Sequence, residues 1–173
     1  MSGKAILKEI GSTLLYIVVV LGITWLVITF VGQRTEVNGS SMEPTLSNND
    51  NLIVDKISYR FKDPQRFDII VFPFQYDENV YYIKRIIGLP GETVEIISGK
   101  VYINGELLDE PYLSEEPTGD FGPYQVPEDS YFMLGDNRAV SKDSRYWHNT
   151  YVKKDKIIAK AFVMYWPSLK WLG

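Results

Sequence analysis

The chain has 173 residues, which gives room for one domain or for one domain with a modest insertion. Its formal net charge of −4 argues against a nucleic-acid partner, because such a partner calls for a basic face. The chain has no cysteine and a single histidine, so disulfides are excluded and little material remains for a zinc site.

An uncharged, strongly apolar run lies between Glu9 and Arg34. A helix needs about 20 such residues to cross a hydrocarbon layer of about 30 Å, so we predict one transmembrane anchor over residues 10–33. A cleaved signal peptide would have a shorter apolar region with a small-x-small cut site, and a core helix would have a polar face. Because Lys4 and Lys8 precede the run, we expect a cytoplasmic N-terminus (residues 1–9) and an extracytoplasmic domain, in a single-pass protein of the cell membrane.

Strand signals dominate the sequence after this run. Segments rich in β-branched and aromatic residues predict strands at Leu52–Val54, Asp68–Phe72, Val80–Ile87, Thr93–Ile97, Lys100–Ile103, Tyr131–Leu134 and Ile157–Trp166. Ser98-Gly99 and Asn104-Gly105 predict tight hairpin turns, whereas the prolines between Asp109 and Asp129 predict a loop. We expect a mostly β, antiparallel fold, with a main domain at residues 34–90 and 131–173 and a small inserted β lobe at residues 91–130.

Ser41 lies in a turn bounded by Gly39 and Pro44, a few residues beyond the predicted anchor. A serine in such a turn can act as a nucleophile with backbone N–H groups beside it, although a plain polar turn has the same composition. A nucleophilic serine also needs a base. His148 follows Tyr146-Trp147, where a surface loop is the better interpretation, so lysine is the alternative base, as in known Ser–Lys pairs.

Lys84 differs from the other lysines because strand alternation places it on one face with Tyr82 and Ile86. A lysine has an ordinary pKa of about 10.4 and is protonated at neutral pH. Desolvation on an apolar face would have to lower that pKa to roughly 7–8 before the amine could act as a base. A partly exposed lysine that snorkels from the rim of the sheet is the alternative interpretation.

Hydrogen-bonding residues are dense between Gly135 and Arg145. Such a cluster can brace a site, or it can form a polar turn. A calcium site made from Asp136, Asn137 and Asp143 is an alternative, but we expect neither a metal nor a cofactor.

Four segments together resemble the motifs of type I signal peptidases, in the order that the family has them after an N-terminal anchor. They are Ser41-Met42-x-Pro44-Thr45-Leu46, Arg66-x-Asp68-Ile69-Ile70-Val71-Phe72, Tyr82–Glu92 and Gly135–Arg145. The resemblance covers nearly the whole chain, and the short length and single anchor are most similar to the enzymes of Gram-positive bacteria. It implies a membrane-bound serine endopeptidase on antiparallel β-sheets that removes signal peptides from exported preproteins and cuts after small residues.

The resemblance also implies a catalytic dyad. Ser41 would attack the scissile carbonyl and neutral Lys84 would take its proton as general base. Ser141 would hydrogen-bond the Lys84 amine, and the Ser41 N–H would supply one oxyanion donor.

Further roles follow from the same resemblance. Asp143 would pair with Arg145 or Arg85 and hold its segment in place. The shallow pockets for small substrate residues would be lined by residues at the motif positions Val37, Met42, Leu46, Leu52, Val71 and Ile83.

Three residues depart from the family pattern. Gly39 replaces a serine that donates to the oxyanion in some relatives, which leaves the second donor open. Val140 replaces a common asparagine, and Phe67 stands where glycine is usual, which could alter the turn before Asp68.

Competing interpretations are a membrane-anchored β-domain that binds extracellular ligands and an inactive family member that serves as a partner. A self-cleaving repressor of the Ser–Lys type would need a DNA-binding region in place of the anchor. We expect the lipid bilayer as a further partner, and we favour core packing over bilayer contact for the aromatic residues Phe72, Phe74, Tyr76 and Trp171.

Overall fold

The computed structural model describes residues 3–30, 32–115 and 117–172. Helix α1 spans Gly3–Phe30, and at about 1.5 Å per residue it is long enough to cross a hydrocarbon layer of about 30 Å. The large apolar side chains between Ile10 and Trp25 are exposed, and Lys8–Trp25 has the length and composition of a membrane span. The predicted anchor reached residue 33, but the helix ends at Phe30 and a strand begins at Gly32.

Within the described residues, the remainder of the chain forms short 3₁₀ turns at Ser58–Arg60 and Lys154–Lys156 and twelve strands. The strands are β1 (Gly32–Glu36), β2 (Asn51–Asp55), β3 (Ile69–Phe74), β4 (Asp77–Gly88), β5 (Thr93–Ile97), β6 (Lys100–Ile103), β7 (Glu106–Leu107), β8 (Phe121–Gln125), β9 (Ser130–Leu134), β10 (Val152–Lys153), β11 (Ala159–Trp166) and β12 (Lys170–Trp171). Every strand pairing is antiparallel, which confirms the predicted fold class.

The main sheet has the order β1-β2-β11-β3-β4-β9-β10, with β12 paired to β11. A second sheet has the order β7-β6-β5-β8, and its strands lie between Thr93 and Gln125, inside the segment expected to form the inserted lobe. Both predicted hairpin turns are present, and Ser98, Gly99, Asn104 and Gly105 all have positive φ angles, as tight turns between twisted strands require.

The loop predicted between Asp109 and Asp129 is wrong in part, because Phe121–Gln125 forms β8. This strand contains Pro123, which removes a backbone donor and signals a loop. Strand β8 lies at the edge of its sheet and pairs only with β5, and an edge strand can accommodate a proline since it needs ladder hydrogen bonds on one side only.

The junction between the two sheets is held by an ion pair. The Arg66 guanidinium bonds both carboxylate oxygens of Glu92, at 2.9 and 2.5 Å, and also donates to the Ile87 carbonyl at 2.5 Å. Glu92 in turn accepts a hydrogen bond from the Leu89 N–H at 2.7 Å. These contacts fix the turn that leads from β4 into β5. They also give a structural role to Arg66 and Glu92, two motif residues to which the sequence assigns none.

Strand β4 is central to the main sheet, between β3 and β9, and one face of it packs into an aromatic cluster. This cluster consists of Ile70, Phe72, Ile86, Tyr131, Met133, Trp147 and Val152, with Tyr59, Phe74, Tyr82, Leu89 and Ile157 packed against it. Tyr82 stacks on Phe74 with ring centroids 4.4 Å apart and also contacts Phe72 and Trp147. A side chain on this face of β4 therefore lies among aromatic rings.

Candidate active site

The loop that carries Ser41 connects β1 to β2 and is closed by backbone hydrogen bonds. The Val37 N–H donates to the Asp50 carbonyl at 2.9 Å, and the Asn49 N–H donates to the Val37 carbonyl at 2.8 Å. The Asn137 N–H donates to the Ser41 carbonyl at 3.1 Å, which ties the loop to the segment after β9. Ser41 is half-buried on this loop, and its position is fixed from both sides.

Lys84 lies on the aromatic face of β4 and only 4% of its surface is exposed. Its Nζ atom is 2.6 Å from Ser41 Oγ and 2.9 Å from the carbonyl oxygen of Ile83. The same atom lies 5.2 Å from the centre of the Tyr82 ring. The structure therefore joins the predicted serine and lysine by a hydrogen bond, and the alternative interpretation of a partly exposed, snorkelling lysine is wrong.

Burial lowers the pKa of the Lys84 amine from its ordinary value of 10.5 to about 8, while the carboxylates of Asp143 and Asp136 act in the opposite direction. Desolvation is the largest cause, since it disfavours the charged form of the amine. A lysine with this pKa has a substantial neutral fraction near neutral pH, which a general base requires.

Each of the two opposing carboxylates has an arginine partner. Asp136 accepts from Arg85 Nε and Nη2 at 2.8 and 2.6 Å, and Asp143 accepts from Arg145 Nε and Nη2 at 2.8 and 2.9 Å. The alternative pairing of Asp143 with Arg85 is therefore wrong. The same pairs occupy the carboxylates proposed for calcium, and the described residues include no cluster of three His, Cys, Asp or Glu placed to hold a metal.

Ser141 does not make the predicted hydrogen bond to Lys84. Its hydroxyl is buried, and among the described residues it has no hydrogen-bond partner, while the amine donates to Ser41 and to the Ile83 carbonyl. Ser141 does lie beside the dyad. A Cβ atom built on Gly135 would come within 2.2 Å of Ser141 Oγ and 2.5 Å of the Ser41 carbonyl oxygen.

The backbone near Ser41 offers one clear oxyanion donor. Within the described part of the chain, the Ser41 N–H makes no hydrogen bond, so it can donate to a substrate. Gly39 cannot serve as the second donor, because its N–H already donates to Asn48 Oδ1 at 2.8 Å and it has no hydroxyl.

The profile of the family described as "Signal peptidase, peptidase S26" matches residues 10–166, which include both dyad residues. The chain belongs to this family.

Relatives within the signal peptidase family include proteins of Synechocystis and of Bacillus. The chain is 46% identical over 165 residues to a probable signal peptidase I-2 of Synechocystis sp., a match that covers 92% of this chain and 73% of that protein. It is 38% identical over 160 residues to signal peptidase I S of Bacillus subtilis, covering 86% of this chain and 85% of that protein. A solved signal peptidase I from Enterococcus faecalis is 43% identical with a TM-score of 0.51, and the match covers 57% of this chain and 97% of that one.

The six residues predicted to line substrate pockets belong to one apolar cluster. Val37, Met42, Leu46 and Leu52 are at most 3% exposed, so they are core residues with little surface to offer. Val71 and Ile83 are half-buried and pack against that core. Since the Ile83 carbonyl accepts from Lys84, Ile83 lies directly beside the dyad.

The other sequence-based expectations have mixed outcomes. Phe67 has a φ of +72°, in the left-handed region that disfavours a bulky side chain, which explains why glycine is usual there. Val140 is exposed, and nothing in the structure explains its substitution.

His148 is exposed and contributes only its backbone N–H, to the Tyr76 hydroxyl, so the triad interpretation has no support. Phe72 is buried in the core as favoured, whereas Tyr76 and Trp171 are exposed.

The lowered pKa of Lys84 predicts that burial of this amine reduces the free energy of unfolding, and that an apolar substitution increases it. In the unfolded chain the amine keeps its proton up to about pH 10.4, whereas the folded protein releases it near pH 8, so stability should rise with pH across this window. Lys84→Met should increase the free energy of unfolding at pH 7 by on the order of 3 kcal/mol, and the gain should vanish above about pH 10.5. Urea unfolding in detergent micelles measures this. The exposed Lys142→Met is the control, and equal stability of Lys84→Met and wild type at pH 7 would contradict the burial.

Gly135 predicts a second effect, on geometry. In Gly135→Ala the new methyl group must displace Ser141 or the Ser41 carbonyl, and a shift of about 1 Å in a reacting group can cost roughly 100-fold in rate. Peptide hydrolysis by the purified variant measures the loss. Gly22→Ala, where an added Cβ has nothing within 4 Å, is the control. Wild-type activity in Gly135→Ala would show that this close approach does not matter.

Proposed function

We propose that this protein is a membrane-bound serine endopeptidase that removes signal peptides from exported preproteins, with Ser41 as nucleophile and Lys84 as general base. The observation that carries the proposal is the 2.6 Å contact between Ser41 Oγ and Lys84 Nζ, made by a lysine that is almost fully buried. Membership of the signal peptidase family supplies the substrate class. In a non-catalytic β-domain, a buried amine beside a serine hydroxyl would lower the stability of the fold without contributing to function.

The geometry supports a two-step acyl transfer. In the reactive state the neutral Lys84 amine accepts a hydrogen bond from the Ser41 hydroxyl and takes its proton as Oγ attacks the scissile carbonyl. The ammonium then gives that proton to the leaving amine of the mature protein. Water, deprotonated by the same amine, hydrolyses the acyl-enzyme. The Ser41 N–H stabilises the oxyanion that forms at each step.

Asp143 and Asp136 have a defined part in this cycle. Their carboxylates favour the protonated amine, so they stabilise the ammonium that forms when Ser41 loses its proton. Because Arg85 and Arg145 pair with them, this influence is moderate, and burial still brings the pKa of Lys84 to about 8. A useful fraction of the Lys84 amine is therefore neutral before the reaction. The ammonium that forms when it takes the Ser41 proton is stabilised by the two carboxylates.

The preference for small substrate residues is explained by a well-filled core beneath the dyad. Val71 and Ile83 provide the accessible apolar surface, and Val37, Met42, Leu46 and Leu52 fill the volume behind them. A pocket on such a floor is shallow, so a large side chain on the substrate would have to displace packed core residues.

The lipid bilayer is the proposed environment of α1 and of one edge of the β-domain. The hairpin of β11 and β12 exposes Phe162, Trp166, Leu169 and Trp171, and Ile53 of β2 is exposed beside it. A Cβ on Gly32 would lie 3.3 Å from Ile53 Cγ2, so this surface begins where the helix ends. Tryptophan is favoured at the membrane interface, and Lys8 near the start of the helix is consistent with a cytoplasmic N-terminus and an extracytoplasmic catalytic domain.

Processing of a preprotein tests the catalytic assignment. The purified wild-type chain should convert a preprotein to a product whose N-terminus, read by sequencing, follows small residues one and three positions before the cut. Ser41→Ala, Lys84→Ala and Lys84→Arg should each lose processing by a factor of at least about 1,000 while remaining folded, because the dyad acts as a unit. His148→Ala is the control and should process normally. Substantial activity in Lys84→Ala would remove this lysine from the mechanism.

Fluorescence in vesicles tests the contact with the bilayer. In a Trp25→Phe chain, lipids brominated near the headgroup should quench Trp166 and Trp171, whereas Trp147 lies in the core and serves as the internal reference. Replacing Trp166 and Trp171 by Phe should remove the quenched component. Equal quenching with and without these two residues would place the hairpin away from the membrane.

A further inference from the structure

The Arg85 guanidinium, next to Lys84 in sequence, is buried, with 8% of the side chain exposed. Besides its two bonds to Asp136, it donates to the Phe67 carbonyl at 2.9 Å. The ring of Tyr112 covers the guanidinium, with its centroid 4.0 Å from Arg85 Cζ. Arg85 therefore depends on a residue of the inserted lobe for its cover.

Tyr112 is held in place by two further contacts. Its hydroxyl donates to Glu110 Oε1 at 2.5 Å, and its ring meets the ring of Phe67 edge-on at 5.8 Å. Burial, and then the neighbouring Glu110, raise the pKa of Tyr112 well above its ordinary value, so the phenol stays protonated and remains a donor. The ring of Phe67 thus gains a packing partner that offsets part of the cost of its left-handed backbone.

Glu110 extends the connection to the segment after β9. It forms an ion pair with Arg138, and both side chains are buried. Arg138 Nε donates to the Gly135 carbonyl at 3.1 Å, and the Arg138 carbonyl accepts from Arg145 Nη2 at 2.9 Å. Since Gly135 packs directly against the Ser41 backbone, Glu110 is linked to Ser41 through two intervening residues, Arg138 and Gly135.

We propose that the segment Glu110–Tyr112, which we call the lobe clamp, positions the dyad from the inserted lobe. Tyr112 holds Arg85 on Asp136, and Glu110 holds Arg138 on Gly135. The proposal rests on the peptidase function proposed above and adds two positioning residues that lie outside the four motifs. A planar guanidinium stacked on an aromatic ring and bonded bidentately to a carboxylate has one orientation available, which makes the clamp specific for arginine.

The clamp acts on the amine through charge. The ionised groups that influence Lys84 are Asp136 and Asp143 on the segment after β9, each with its arginine, while β3 and β9 contribute the apolar Ile70 and Met133 to the same face. If Tyr112 is lost, water reaches the pair of Arg85 and Asp136 and weakens it. The unpaired carboxylate then favours the protonated amine more strongly, so the pKa of Lys84 rises and the acidic limb of the activity profile moves to higher pH.

The test compares Tyr112→Leu with Tyr112→Phe in the full-length chain, in detergent micelles, with a signal-peptide substrate. Tyr112→Leu should lower kcat about 10-fold or more with little change in KM, because a displaced catalytic group loses rate and not binding. The acidic limb of its pH–activity profile should move to higher pH. Tyr112→Phe keeps the ring on Arg85, so the acidic limb of its pH–activity profile should lie at the wild-type pH. Tyr102→Leu, at a half-buried tyrosine in the same lobe on β6, is the matched control.

A double-mutant cycle separates positioning from general stability. In an Arg85→Lys background no guanidinium plane remains, so Tyr112→Leu should add little further loss. An equal loss in both backgrounds, or an unchanged acidic limb in a folded Tyr112→Leu, would overturn the proposal. If Tyr112→Leu does not fold, Glu110→Gln provides the test, since it should also lower kcat, and wild-type kcat in that variant would count against the clamp. An inactive wild type, or a fully active Ser41→Ala, would instead overturn the peptidase function itself.

Discussion

The structure depends on keeping one amine away from water. Lys84 lies on the central strand of the main sheet with its amine 5.2 Å from the centre of the Tyr82 ring, and desolvation lowers its pKa to about 8. That burial destabilises the folded chain, since a charged amine is better solvated outside. Burial of apolar side chains offsets this destabilisation, in the aromatic cluster and in the apolar core on the other face of the sheet. The buried amine is hydrogen-bonded to Ser41, at 2.6 Å between Nζ and Oγ.

Electrostatic balance around the amine is set by two carboxylates and two arginines. Asp136 and Asp143 alone would favour a permanently charged lysine, and a pair of arginines alone would make the ammonium costly to form. Their pairing leaves a net influence small enough for burial to dominate. This explains why the segment after β9 is dense in charged residues although little of it is exposed. Two residues of the segment between β7 and β8 contact arginines nearby: the Tyr112 ring covers Arg85, and Glu110 pairs with Arg138.

The sequence predicted the features that depend on local patterns. Alternation placed Lys84 with Tyr82 and Ile86, and these three residues do share a face, while Asn104-Gly105 formed the turn that its backbone preference requires. The features that depend on distant contacts could not be predicted. Pro123 indicated a loop, and only the position of β8 at a sheet edge makes a strand possible. Whether Asp143 pairs with Arg145 or Arg85 is decided by a long-range contact between Arg85 and Asp136. The contacts of Tyr112 with Arg85 and of Glu110 with Arg138 join the loop after β7 to β4 and to the segment after β9, and no motif marks them.

The same distinction applies to Ser141 and to the pocket residues. Motif position brought Ser141 close to Ser41, but its buried hydroxyl makes no hydrogen bond within the described residues. Likewise Val37, Met42, Leu46 and Leu52 were assigned to a surface, whereas the sheet geometry buries them. In both cases a sequence motif specifies proximity and leaves the direction of the side chain undetermined.

Direct titration of the lysine amines by NMR, in the full-length chain with labelled lysine, tests the central claim. The burial of Lys84 predicts one amine that loses its proton with a midpoint near pH 8, and a Lys84→Met chain in which that resonance is missing. If every lysine instead titrates near its ordinary value of about 10.4, the amine beside Ser41 is charged at neutral pH and cannot be the base.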